Sequence, residues 1–123
     1  MTTLISDTKK KSAQKHINTL VEQLKQVNPD KIILFGSHAS GSALADSDLD
    51  ILVVTADDGI PASFAEKSKI YLRVSKTISN IKKEQAVDLV VHTRAMHQQF
   101  IETNSAFARE VLLNGKVLYE KEH

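Results

Sequence analysis

Residues 48–54 read Asp-Leu-Asp-Ile-Leu-Val-Val, and this run constrains the rest of the chain. A stretch so rich in branched apolar side chains suits a buried strand. Side chains alternate across a strand, so Asp48 and Asp50 share one face at its mouth. At about 3.3 Å per residue their Cβ atoms lie roughly 6.6 Å apart. Two carboxylates that close repel each other. A divalent cation between them supplies the missing charge, and magnesium prefers oxygen ligands of this kind.

The segments around this strand indicate what it packs with. Ile17, Leu20, Val21, Leu24 and Val27 recur at three and four, which predicts an amphipathic helix over 12–27. Asn28-Pro29-Asp30 ends it, because proline disfavours helix in the residue before it. Residues 31–35 predict a short apolar strand ended by Gly36, and 36–47 a small, polar loop able to carry a helical turn. The Asp48 strand runs on to Thr55, and Asp57-Asp58-Gly59 is a turn signal. Pro61 suits the first position of a helix whose buried face carries Phe64, Tyr71, Val74, Ile78 and Ile81. A third strand is predicted over 86–92 and helix over 93–113, with a break near Asn104-Ser105. Asn114-Gly115 then turns the chain into a last strand over 116–119.

The expected fold is α/β (α+β), a small mixed sheet packed with helices. The first two strands are joined too closely for a parallel crossover, which requires an antiparallel pair.

The whole of 1–123 is read as one domain with flexible margins at 1–11 and 120–123. A net charge of +1 argues against a free-standing nucleic-acid binder. The absence of cysteine excludes disulfides and cysteine-based zinc sites. No apolar run approaches the roughly 20 residues that cross a bilayer, and the polar start lacks a signal-peptide core. The expectation is a soluble, cytoplasmic chain without membrane association.

Three further groups complete the chemistry. Gly36 directly follows a strand, and without a Cβ it lets the backbone turn sharply and approach a ligand. Its amide, the Ser37 amide and the Ser37 hydroxyl can donate to phosphate oxygens. Ser47 can serve the same anion or cap the adjacent turn. Asp88 is the acid inside the third strand, where a buried unpaired carboxylate would be costly. If that strand neighbours the second, Asp88 completes a three-carboxylate cage suited to two-metal phosphoryl chemistry. A nucleoside triphosphate with magnesium satisfies both halves of the site.

Gly36-Ser37, Ala39, Gly41 and Ser47-Asp48-Leu49-Asp50-Ile51 resemble the signature of the minimal nucleotidyltransferase (MNT) family, within the DNA polymerase β superfamily. The resemblance extends to the preceding helix, to Asp88 and to the ending Asn114-Gly115-Lys116-Val117-Leu118-Tyr119. It implies a polymerase β-like nucleotidyltransferase fold, magnesium, and a nucleoside triphosphate, usually ATP. It also implies transfer of a nucleotidyl group to an acceptor. Asp48, Asp50 and Asp88 would be the catalytic metal ligands, with Gly36 and Ser37 at the phosphates. Many such proteins pair with a helical HEPN toxin as its antitoxin, and some adenylylate a tyrosine of that toxin.

One position departs from the pattern: Ser40 stands where the family often has arginine, whose bidentate contact is lost. Lys31, Lys82 and Lys83 are candidates to replace it. The alternative reading is therefore a binding module with a weak or inactive site that neutralises a HEPN-type ribonuclease by contact. Transfer to a small molecule or an RNA end is a third reading, and a homo-oligomer is also compatible. His38 is expected to face solvent and Tyr71 to lie in the core. His92 and His97 lack a supporting acid at ligand spacing, so no zinc site is read there.

Overall fold

The computed structural model describes residues 7–44 and 47–122, with side chains described from Lys11. Of the expected flexible margins, 1–6 and 123 lie outside the described residues. Residues 7–11 belong to the first helix and Glu120 to the last strand.

The chain opens with α1 (Asp7–Leu24), extended by a 3-10 turn over Lys25–Val27. β1 (Lys31–Phe35), α2 (Ser37–Ser40) and β2 (Leu49–Val54) follow, then α3 (Phe64–Ser75) and the short α4 (Ser79–Lys82). β3 (Val87–His92), α5 (Arg94–Thr103), α6 (Ala106–Asn114) and β4 (Lys116–Glu120) complete it. The helix breaks as predicted between α5 and α6, where Asn104 takes left-handed backbone and Ser105 caps the next helix. The helix after the Asp57-Asp58-Gly59 turn starts later than Pro61. Its cap is Ser63, whose hydroxyl accepts from the Glu66 amide while Glu66 reaches back to the Ala62 amide.

The sheet order is β3-β2-β1-β4. β1 pairs antiparallel with both β2 and β4, and β2 pairs parallel with β3. The sheet is therefore mixed, as the short β1–β2 connection requires. The parallel pair is made possible by the long crossover through α3 and α4.

Strands β1, β2 and β3 feed two cores. Ile32, Leu34, Leu49, Ile51, Val53 and Leu89 pack with Ile17, Leu20 and Leu24 of α1, and with Val74, Ile78 and Ile81. The alternate residues Ile33, Phe35, Leu52 and Val54 pack with Val111 of α6, flanked by Val90 and Phe100. Continuous apolar sequence in β2 is the signature of this two-sided burial. No described helix is long and apolar enough to cross a membrane.

The predicted buried face of α3 needs correction. Val74, Ile78 and Ile81 are in the core, but Phe64 is 84% exposed and Tyr71 36% exposed. The periodicity is real, but α3 is covered by the sheet only toward its C-terminal end. His92 and His97 lie side by side, Nδ1 to Nδ1 at 3.1 Å, against the Phe100 ring.

Two outcomes follow. Leu20 has no exposed surface, so Leu20→Ala should cost about 2–5 kcal/mol of unfolding free energy, against roughly 0.5 kcal/mol or less for Phe64→Ser. Urea denaturation measures both.

The second outcome concerns pH. Burial, then the charges of His97 and Lys67, lowers the His92 pKa from its ordinary 6.5 to about 4. Burial and Lys31 lower that of His97. A depressed folded value means this stability is present above pH 6.5 and lost as pH falls toward about 4. Thermal melts across that window should fall more steeply for the native chain than for His92→Phe.

Candidate functional site

The sheet register brings the acidic residues together. Asp50 is the register partner of Asp88 across the parallel β2–β3 pair, and of Phe35 across the antiparallel β1–β2 pair. By alternation these side chains share the α6-facing side with Leu52 and Val54, and Asp48 has the same parity just before β2. Asp48 and Asp88 are exposed and Asp50 is half-buried. Burial raises the Asp50 pKa above the ordinary carboxylate value; the charges of Asp88 and then Asp48 add to this, and His38 opposes it.

This charge pattern tests whether a cation fits. Three carboxylates repel across one strand pair, and their donors are all oxygen, which suits a hard divalent ion. Among the described residues they are not drawn into a closed three-ligand cage as they stand. The residues fit magnesium by donor chemistry and charge.

Gly36 is the hinge of the site. Its φ is 72° and ψ −153°, a conformation that side chains rarely adopt. A Cβ on it would lie 2.1 Å from Asp50 Oδ2 and 3.0 Å from Cγ. The bare Cα therefore makes room for the Asp50 carboxylate itself, whereas the sequence suggested room for a ligand. Beyond it α2 closes a single turn, with the Ala39 and Ser40 amides both donating to the Gly36 carbonyl at 3.1 Å. The backbone of Ser37 thus follows directly on the contact with Asp50.

The loop back to β2 is held from both sides. The Ser47 carbonyl accepts from His38 Nε2 at 3.2 Å and from Gln85 Nε2 at 3.3 Å. The Leu49 amide donates to the Ala86 carbonyl at 3.0 Å. These contacts fix the backbone immediately before Asp48. The Ser47 hydroxyl accepts from the Leu44 amide at 2.8 Å, so it braces the turn. His38 is half-buried and holds this loop, contrary to the solvent-facing expectation. Sequence reasoning missed Gln85 altogether; its one signal was a polar residue directly ahead of the Asp88 strand.

Ser40 does not supply what an arginine would. Its hydroxyl lies 3.3 Å from the Ser37 carbonyl and 2.7 Å from Ser42 Oγ, closed on the loop itself. Two of the lysines proposed to compensate are engaged elsewhere. Lys31 pairs with Glu120 at 3.0 Å, at the end of β1 remote from Gly36. Lys82 donates to Ser75 and lies over the Tyr71 ring. A cavity of about 330 Å³, lined by Ile17 and Leu34 on the α1 side of the sheet, also reaches His38, Gly41 and Ala43 of the loop that follows β1.

A glycine turn packed on a strand-borne Asp-x-Asp, beside an acid on the parallel neighbour, defines a nucleotidyl-transferring type of fold. The chain belongs to the polymerase beta nucleotidyltransferase family, whose model matches residues 15–123. It is similar to the solved structure of a toxin–antitoxin with AMP-PNP, at 25% identity and TM-score 0.54, over 85% of this chain and 73% of that one. A tyrosine-to-alanine mutant of the MntA–HpeT toxin–antitoxin matches at 25% identity and TM-score 0.54, over 86% and 73%. A Shewanella oneidensis tri-AMPylated HEPN toxin in complex with MNT antitoxin shares the fold at 23% identity and TM-score 0.50, over 88% and 72%. No significant match is found among curated proteins.

The Gly36–Asp50 contact predicts a particular stability pattern. Gly36→Ala should cost about 1–3 kcal/mol, through strain and the collision with Asp50. Gly41→Ala has a comparable φ of 81° but nothing within 4 Å of its added Cβ, so it should cost less. In an Asp50→Gly background the excess at Gly36 should shrink. A double-mutant cycle by urea unfolding checks it.

Proposed function

We propose that this chain transfers AMP from magnesium ATP to a hydroxyl on a partner protein of the HEPN type, and acts as that partner's antitoxin. The observation that carries this reading is the register of Asp50 against Asp88, with Asp48 on the same side of the strand. Support comes from family membership and from the likeness to a toxin–antitoxin with AMP-PNP.

Magnesium, when held by Asp48, Asp50 and Asp88, would neutralise the triphosphate and polarise its phosphoryl oxygens. Gly36 and Ser37 lie against the phosphates, where the Ser37 amide and hydroxyl donate to their oxygens. Gln85 and His38 hold the Ser47 carbonyl, which fixes the backbone that carries Asp48. In the transfer, the acceptor oxygen bonds to the α-phosphorus. The bond from that phosphorus to the bridging oxygen breaks, and pyrophosphate leaves with the electron pair. Asp88 accepts the hydroxyl proton and returns it to solvent. Asp88 suits this role because it is exposed and therefore accessible to an acceptor brought from outside.

A second reading is favoured by Ser40, whose hydroxyl is closed on the loop. In that reading the site is weak and the chain neutralises the partner by contact alone.

One variant separates the two. Asp48→Asn/Asp50→Asn should abolish magnesium-dependent ATP binding by calorimetry and labelling of the co-expressed HEPN partner. Loss of labelling with full protection of cells would favour the contact reading. Unchanged labelling would overturn transfer at this site. Because burial, and then the charges of Asp88 and Asp48, disfavour the ionised Asp50 carboxylate, Asp50→Asn should also raise the metal-free melting temperature.

A further inference from the structure

The aspartate side of the sheet carries one more feature that the transfer chemistry leaves unused. Phe107, at the start of α6, is 44% exposed. Among the described residues it is the exposed aromatic ring on this side. The other two, Phe64 and Tyr71, belong to α3, whose buried Val74 joins the opposite core.

The ring is firmly held. It meets Phe35 edge to face, with centroids 5.4 Å apart at 75°, and Phe100 at 5.5 Å and 73°. The helix start beneath it is fixed too. The Ser105 hydroxyl accepts from the Ala108 amide at 3.0 Å, and Arg109 donates to the Asn104 carbonyl at 3.0 Å. Phe35 in turn is only 7% exposed and is the register partner of Asp50. Directly opposed residues of an antiparallel pair point to the same face, with Cα atoms about 4.5–5.5 Å apart. Asp50, Phe35 and Phe107 therefore form a row that runs from a half-buried carboxylate to an open aromatic ring.

A core ring is explained by the area it buries. A rigid ring left open beside a phosphate and metal site suits a flat ligand instead. A nucleotide with its phosphates at Gly36, Ser37 and the aspartates must place its base within reach of one ribose. Bases present apolar π-faces that stack on aromatic side chains. The cavity beside His38 touches the same loop at Gly41 and Ala43 but offers no phenylalanine or tyrosine ring in its lining.

We propose that Phe107 is the platform on which the nucleobase of the bound triphosphate stacks. The proposal rests on the nucleotidyl-transfer reading above and adds the residue that grips the base. Stacking grips the base without reading its identity, because every base has a π-face.

The test is calorimetric titration of the full chain with magnesium ATP and, separately, with magnesium tripolyphosphate, which lacks base and ribose. Phe107→Ala should weaken ATP binding roughly five- to a hundredfold. Tripolyphosphate affinity should stay within about twofold. Phe107→Leu keeps the apolar bulk and the fold but removes the π-face, and should show the same split. Phe107→Tyr should restore ATP binding. Phe107→Leu binding ATP like the native chain would overturn the platform, as would an equal loss for both ligands. Native protein that binds tripolyphosphate as tightly as ATP would also overturn the platform and leave the transfer reading intact. Native protein that binds neither ligand would overturn both.

Discussion

The carboxylate of Asp50 occupies the volume that any side chain at residue 36 would need. This single exclusion ties the end of β1 to the middle of the acidic cluster. It accounts for the unusual backbone at Gly36, for the tight turn of α2 after it, and for the position of Ser37 next to the aspartates. Hydrogen bonds through His38 and Gln85 secure the other end of the same loop at the Ser47 carbonyl. The glycine loop and the aspartate-bearing strand are thus one mechanical unit, mounted on the most deeply buried part of the sheet.

That mounting has an electrostatic cost. Asp50 sits on a strand with apolar neighbours on both faces, and two further carboxylates raise its pKa by repulsion. Nothing in the packing of the fold asks for this arrangement, since β2 would be covered equally well without it. Clusters of like charge held in place against their repulsion are characteristic of sites shaped by a ligand. The remaining ion pairs, such as Arg94 with Asp30 and Asp58 at 2.6 and 2.8 Å, lie elsewhere on the surface. They tie loops together without perturbing the aspartates.

The two faces of the sheet have different tasks. On one, α1, α3 and the α4 segment supply a continuous aliphatic core. On the other, a smaller core under α5 and α6 gives way to aromatic rings and then to the acidic residues. Apolar side chains remain exposed on α3 and α6, including Phe64, Leu72 and Leu113. In a chain with its core already filled, such surface is available to other molecules.

Much of the fold was legible in the sequence because hydrophobic period and turn chemistry are local properties. The β2 run, the α1 stripe, the break at Asn104-Ser105 and the antiparallel β1–β2 pair all follow from neighbours along the chain. So does the pairing of Asp48 with Asp50, whereas Asp88 joins them only because β3 lies beside β2 in register. What the sequence could not determine was which face each helix covers and what fills the gap at Gly36. Phe64 and Tyr71 fit a helical stripe yet stand in solvent, while Val74 near the end of the same helix is buried. His38, Gln85 and Phe107 acquire meaning only through partners distant in the chain: Ser47, Ser47 and Phe35. Periodicity reports how a segment would bury itself; contacts between segments are decided by strand register and packing, which exist only once the chain has folded.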